Sequence, residues 1–168
     1  MPVKTKQAER RVLHFSDLEE ILADAEQVTA GPHVTTGNWT AAQIIRHVAM
    51  GFEMANHGID LPIPLPIRLA GRTMRFFGLH TKPVRPGIKP PAKIAAAFEP
   101  PPETTLEAAL TRLREEVGYA QQHPMRHASP LFGKLTPEEW KQFQCRHAEM
   151  HFGFIHPGEE VDPPSPER

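Results

Sequence analysis

Thr136-Pro137-Glu138-Glu139-Trp140-Lys141-Gln142-Phe143-Gln144-Cys145-Arg146-His147-Ala148-Glu149-Met150-His151 carries both a helix start and a buried face. Thr136 and Glu139 have the spacing of a capping box, in which the hydroxyl and the carboxylate each accept a hydrogen bond from the other residue's backbone N–H. Pro137 takes the first helical position, where its missing donor costs nothing, and Leu135 and Trp140 are placed to staple the entry. Trp140, Phe143, His147, His151 and Phe154 then recur at intervals of three and four, which puts them on one face of a helix. Two of these five positions are histidine, where a packed helix would otherwise place leucine.

Upstream, the same grammar repeats. Thr40-Ala41-Ala42-Gln43 is a second capping box, with Trp39 and Ile44 as its staple, and the stripe Ile44, Val48, Gly51 and Ala55 encloses His47 before an expected end near Gly58. Ser16-Asp17-Leu18-Glu19 opens a helix to about Ala30, with Leu18, Ile21, Leu22 and Ala25 inward and Gly31-Pro32 as its stop. Thr104-Thr105-Leu106-Glu107 opens another, with Leu106, Ala109, Leu110, Leu113 and Val117 at helical spacing. Four capped helices predict an all-α four-helix bundle over residues 12–156. Residues 1–11 read as a flexible N-terminus, and residues 157–168, rich in proline and acid, as a disordered tail.

Residues 60–102 are too long for a hairpin between neighbouring helices and predict a crossover connection between the second and third. Of the 19 prolines, ten fall between Pro62 and Pro102. Within the crossover, Pro66–Leu79 reads as a short helix with Ile67, Ala70, Met74 and Phe77 facing inward. Arg68, Arg72 and Arg75 would then form a solvated basic face; a membrane-surface or anion-binding role is the alternative reading.

A chain of 168 residues closes one core without staples. The net charge of -1 and a pI near 6.8 give no broad basic field, so nucleic acid is not the expected partner. The single Cys145 allows no intramolecular disulfide and fits a reducing compartment. Met1–Arg11 is charged, without the apolar run of a secretory signal, and no stretch of apolar residues is long enough to span a bilayer. The expectation is a cytoplasmic protein.

Ten histidines are many for this length, but His14, His33, His80, His123, His127 and His156 fall in loops or at helix ends, where they read as solvated polar residues. His57, near the end of the second helix, is likewise placed to face water. His147 and His151 differ: four apart on a helix, their Cβ atoms lie about 5–6 Å from each other on one face. Two imidazoles so placed can reach one ion at Zn–N distances of about 2.0–2.1 Å. Buried without partners they cost free energy, and either a metal or hydrogen bonds to backbone or carboxylate would satisfy them. His47, inside the stripe of a second capped helix, is the natural third ligand. Glu149 and Cys145 lie about 200° around the helix from the histidines, so Glu149 is expected in solvent and Cys145 in the packing. His147-Ala148-Glu149-Met150-His151 is not the zincin motif, which places glutamate directly after the first histidine.

Asn38-Trp39-Thr40-Ala41-Ala42-Gln43 leading to His47, and Pro130-Leu131-Phe132-Gly133-Lys134-Leu135-Thr136-Pro137-Glu138-Glu139-Trp140 leading to His147 and His151, resemble the DinB/YfiT-like metalloenzyme superfamily. Within it they resemble a branch known only as a domain of unknown function. The resemblance implies a four-helix bundle of up-down-down-up course, whose metal is held by one histidine of the second helix and an H-x-x-x-H pair of the fourth. Those positions are His47, His147 and His151. It also implies homodimers in many members and, in some, thiol-dependent transfer or isomerisation. Two departures stand out. Ser129 occupies a place where the branch often has histidine, and Gly153 a place where some relatives carry a carboxylate, which argues against iron-dependent sulfoxide-synthase chemistry.

Two classes of function follow. Three neutral histidines on one divalent ion, with zinc first and nickel or iron as alternatives, leave a position open for a small-molecule substrate such as a low-molecular-weight thiol. A metal-dependent transferase or hydrolase would result. Alternatively a fourth ligand such as His57 or His127 closes the site, giving a non-catalytic, metal-stabilised interaction module.

Overall fold

Four helix starts in this chain coincide with side chains able to replace missing backbone partners. The computed structural model describes residues 3–78, 81–87 and 92–158. Among them run α1 (Leu18–Thr29), β1 (His33–Thr35), α2 (Ala41–His57), α3 (Leu65–Phe76), α4 (Ala92–Ala97), α5 (Leu106–Gln122), α6 (Pro137–Phe152) and β2 (Ile155–Pro157). The molecule is mostly helical. Thr40 with Gln43 and Thr136 with Glu139 close both halves of their capping boxes. The other two starts lie one residue later than expected. Asp17, not Ser16, accepts from the Glu20 N–H, and Thr105, not Thr104, accepts from that of Ala108. Each start offers two adjacent capping oxygens, and pattern alone does not choose between them.

α2 packs against both α5 and α6, and α1 packs against the same two helices. The sequence of α2 suits this central place, with Ile44, Ile45, Val48, Ala49, Phe52 and Ala55 all removed from solvent. Ile21 and Ala25 of α1, Leu113 and Val117 of α5, and Trp140 and Phe152 of α6 complete the core. One carboxylate lies inside it. Glu116 of α5 is 2% exposed and receives Asn56 Nδ2 at 2.8 Å, Arg112 NH2 at 2.9 Å and His57 Nε2 at 3.0 Å. A buried carboxylate with three donors is satisfied where an isolated one would be costly.

The pairing of β1 with β2 corrects the all-α expectation. The strands are antiparallel, with Val34 opposite His156, and three residues each are too few for alternation to show in sequence. Pro157, expected to begin the tail, closes this ladder opposite His33. The rest of the expected tail from residue 159, together with Leu79 and His80, lies outside the described residues.

The N-terminal arm makes defined contacts from Val3 onward, whose N–H donates to Asn38 Oδ1 at 2.6 Å. Arg11 forms a two-bonded ion pair with Asp24, both contacts 2.8 Å, and its Nε donates to the Ile155 carbonyl at 2.6 Å. Its backbone N–H donates to the Gly153 carbonyl, so one residue serves orphan carbonyls beyond the end of α6.

In the crossover, α3 lies in the opposite sense to expectation. Gly71 is its one buried residue, and a Cβ there would collide with the Leu131 carbonyl oxygen. Ala70, Met74 and Phe77, expected inward, are exposed, while Arg75, expected in solvent, is half-buried on Glu139 at 3.1 Å.

Arg11→Ala is expected to lower the unfolding free energy by about 1–3 kcal/mol, the scale of a charged hydrogen-bond pair in a partly buried setting. Urea denaturation measures it, and an unchanged midpoint would show that the Arg11 contacts contribute nothing to stability.

Candidate metal centre

α2 and α6 bring their histidines to one point. His47, His147 and His151 each offer a ring nitrogen, and these nitrogens all lie within 4.8 Å of one another. Gly51 permits the approach: a Cβ there would stand 3.3 Å from His147 Nδ1 and 3.1 Å from Gln144 Oε1. Gln144, fully buried, holds the two helices in register by donating to the Gly51 carbonyl at 2.8 Å.

The hydrogen bonds fix what each ring can do. His47 Nδ1 lies 2.7 Å from the Phe98 carbonyl, which only accepts, so Nδ1 carries the proton and Nε2 a lone pair. That Nε2 faces His147 Nε2 at 3.2 Å. Nitrogens about 2.0–2.1 Å from one tetrahedral ion stand about 3.3–3.4 Å apart, close to this separation. His147 Nδ1 is buried and has no hydrogen-bond partner among the described residues. Whichever nitrogen of His147 bears the proton, a polar atom is left unsatisfied or two lone pairs oppose each other. A cation between the Nε2 atoms removes the second conflict, so the three residues fit a metal ion.

Aromatic rings wall the cluster. Trp39 stacks on His151 with centroids 5.9 Å apart and tilts against His47 at 4.9 Å, and Phe143 stacks on His147 at 5.7 Å. Burial pushes the pKa of His147 down to about 3, with the neighbouring His47 adding to the effect. Burial and the other two rings hold His151 well below the usual histidine range, and burial lowers His47 against an opposing bond to Phe98. All three are neutral at pH 7 and keep the lone pairs a divalent ion requires.

The spaced pair His147 and His151 and the His47 expected from α2 are thus brought together, and the other candidates are not. His57 is engaged with Glu116, and His127 stands against Gly58. Cys145 is buried near the Asp17 carbonyl, with burial pushing its thiol up to about 11. Glu149 corrects an expectation. Rather than facing solvent, its carboxylate accepts from the Phe15 N–H and pairs with Arg146, both at 2.7 Å. Ser129 serves its own turn, its Oγ accepting from the Phe132 N–H. A side chain at Gly153 would meet the Arg11 carbonyl at 3.0 Å, so the N-terminal arm leaves no room there for a carboxylate. Sequence reasoning missed the Phe98 carbonyl and the enclosing role of Trp39. A backbone oxygen has no side-chain signature, and Trp39 already had an explanation as a staple.

A family model described as a protein of unknown function, DUF1569, matches residues 7–158. No curated protein and no solved structure matches the chain.

Histidines held neutral in the fold and protonated in the unfolded chain lose stability on acidification. The metal-free protein is therefore expected to be at full strength above the unfolded histidine pKa of 6.5 and to weaken as pH falls toward about 3, the folded value for His147. Thermal melts in chelator across that range test this. The double variant His147→Leu/His151→Leu should show a flatter profile, and an identical one would refute the assignment.

Proposed function

The chain belongs to that family of unknown function, and we propose that it holds one divalent metal ion through His47, His147 and His151 and uses it on a small molecule. The observation that carries this reading is the opposed Nε2 pair of His47 and His147 at 3.2 Å, with His47 Nδ1 already committed to Phe98. Zinc suits three neutral imidazoles, and nickel or iron accept the same donors. A divalent ion there would supply a Lewis acid that acidifies a thiol or water reaching it.

The protein's own residues would set the rest. Phe98 fixes the His47 tautomer, Gln144 and Gly51 set how deeply the His147 ring enters, and Trp39 and Phe143 exclude water from two sides of the cluster. Among the described residues no carboxylate or thiol joins the three histidines, and neither His57 nor His127 closes the site. An incomplete protein ligand set favours chemistry over a purely structural metal. The reaction class we assign is transfer of a low-molecular-weight thiol to an electrophile, with metal-assisted hydrolysis as the second choice. No general base is assigned.

We read α1, α2, α5 and α6 as the four helices of a DinB/YfiT-like bundle of up-down-down-up course, forming one domain over residues 12–156. The long connection from α2 to α5 supports this, since parallel neighbours in a bundle need such a crossover. The resemblance adds a homodimer. The lone, buried Cys145 and the absence, among the described residues, of a helix long and apolar enough to cross a membrane fit a cytoplasmic setting.

Protein purified without a nickel column should carry close to one equivalent of metal, and His151→Ala should lose most of it; wild type without stoichiometric metal would sink the reading. In the cobalt-substituted protein, added thiol should change the visible spectrum. An unchanged spectrum would mean a closed, structural site.

A further inference from the structure

α3 presents an unusual surface. Leu65 is 71% exposed, Leu69 64%, Phe76 85% and Phe77 66%, although the helix is anchored through Gly71 and Arg75 on its other side. At about 100° per residue, Leu65, Leu69 and Phe76 fall within about 40° of one another, so they form one outward stripe. Thr73 shares that side, but its hydroxyl is spent inside the helix on the Leu69 carbonyl at 3.0 Å. The stripe therefore has no polar demand of its own.

Charge runs beside it. Arg68 and Arg72 are exposed on the flank of the stripe, and neither pairs with a carboxylate among the described residues. Behind them lies a groove of about 570 Å³ lined by Ile63, Arg68, Arg72, Ser129, Leu131 and Lys134. The bias extends along the chain: residues 61–98 contain seven Lys or Arg and no Asp or Glu, so all 20 acidic residues lie elsewhere. A near-neutral net charge conceals one strongly basic segment.

We propose that α3 and this groove dock on an anionic lipid surface, with Leu65, Leu69, Phe76 and Phe77 at the headgroup–acyl boundary and Arg68, Arg72 and Lys134 on lipid phosphates. A helix with aromatic and leucine residues on one side and arginines on the flank is the form interfacial binding takes. Phosphate contacts alone, as on nucleic acid, leave the apolar stripe without a role. A second copy fits poorly, because an isologous contact sets the same patch against itself and would oppose the arginines of both copies. Among the described residues, the patch offers no free carboxylate to relieve that, since Glu139 is taken by Arg75.

Co-sedimentation of the full chain with phosphatidylcholine vesicles, with and without phosphatidylglycerol, tests the proposal. Binding is expected only with the anionic lipid, falling with added salt. Leu69→Glu/Phe76→Glu and, separately, Arg68→Glu/Arg72→Glu should each weaken it by roughly tenfold or more. All four side chains are exposed, and unchanged thermal melts would show that the fold is kept. Equal binding to neutral vesicles, or none to either kind, overturns the proposal. So does binding that survives loss of the apolar stripe, or a dimer that Leu69→Glu/Phe76→Glu dissociates in a protein that ignores vesicles.

Discussion

The 2.7 Å hydrogen bond from His47 Nδ1 to the Phe98 carbonyl joins two parts of the chain that otherwise have separate roles. One is a core position of α2; the other is the last stretch of the connection before α5. The bond fixes the imidazole tautomer, so Nε2 of His47 is always the acceptor turned toward His147. It also gives the long crossover a defined endpoint at the site. A connection of this length costs little extra closure entropy, but its end must be held for the carbonyl to stay in place. Phe98 is packed against the core, which supplies that hold.

α2 is fixed on both sides by polar atoms placed among apolar ones. Toward α5, Asn56 and His57 meet the buried Glu116 carboxylate, which Arg112 also satisfies from one turn away. Toward α6, Gln144 reaches the Gly51 carbonyl beside the His147 ring. Hydrophobic burial is non-directional and would tolerate small slides of one helix along another. Directed bonds on both faces do not, and a metal site needs its ligands placed to within about half an ångström. The polar groups of α2 thus do for register what the leucines, isoleucines and valines do for stability.

Most of the helices, and all three histidines, were legible in the sequence because each rests on local rules. Thr40 and Thr136 announce their helices through capping boxes that the structure closes, and four-residue spacing puts His147 and His151 on one face whatever surrounds them. Non-local features were not legible. The β1–β2 pair is too short to alternate, and its two strands lie more than a hundred residues apart in the chain. Glu149 looked solvent-bound by its angle on the helix, yet the arm arriving at Phe15 turns that side inward. Phe98 contributes a backbone oxygen, which every residue has.

α3 shows the same limit in its sharpest form. Helical periodicity states which residues share a face, but not which face meets the protein. The sequence of α3 offers an apolar side and a basic side, and the usual rule sends the apolar side inward. Here the deciding residue is the smallest. The backbone of Leu131 comes so close to Gly71 that no side chain fits between them, and close backbone approach needs glycine. Once Gly71 and Arg75 take the inner side, Leu69 and Phe76 have nowhere to go but out. Exposed leucine and phenylalanine on so small a helix are a standing cost in water. A protein that keeps them beside arginines with no carboxylate partner among the described residues is built for a surface that receives both.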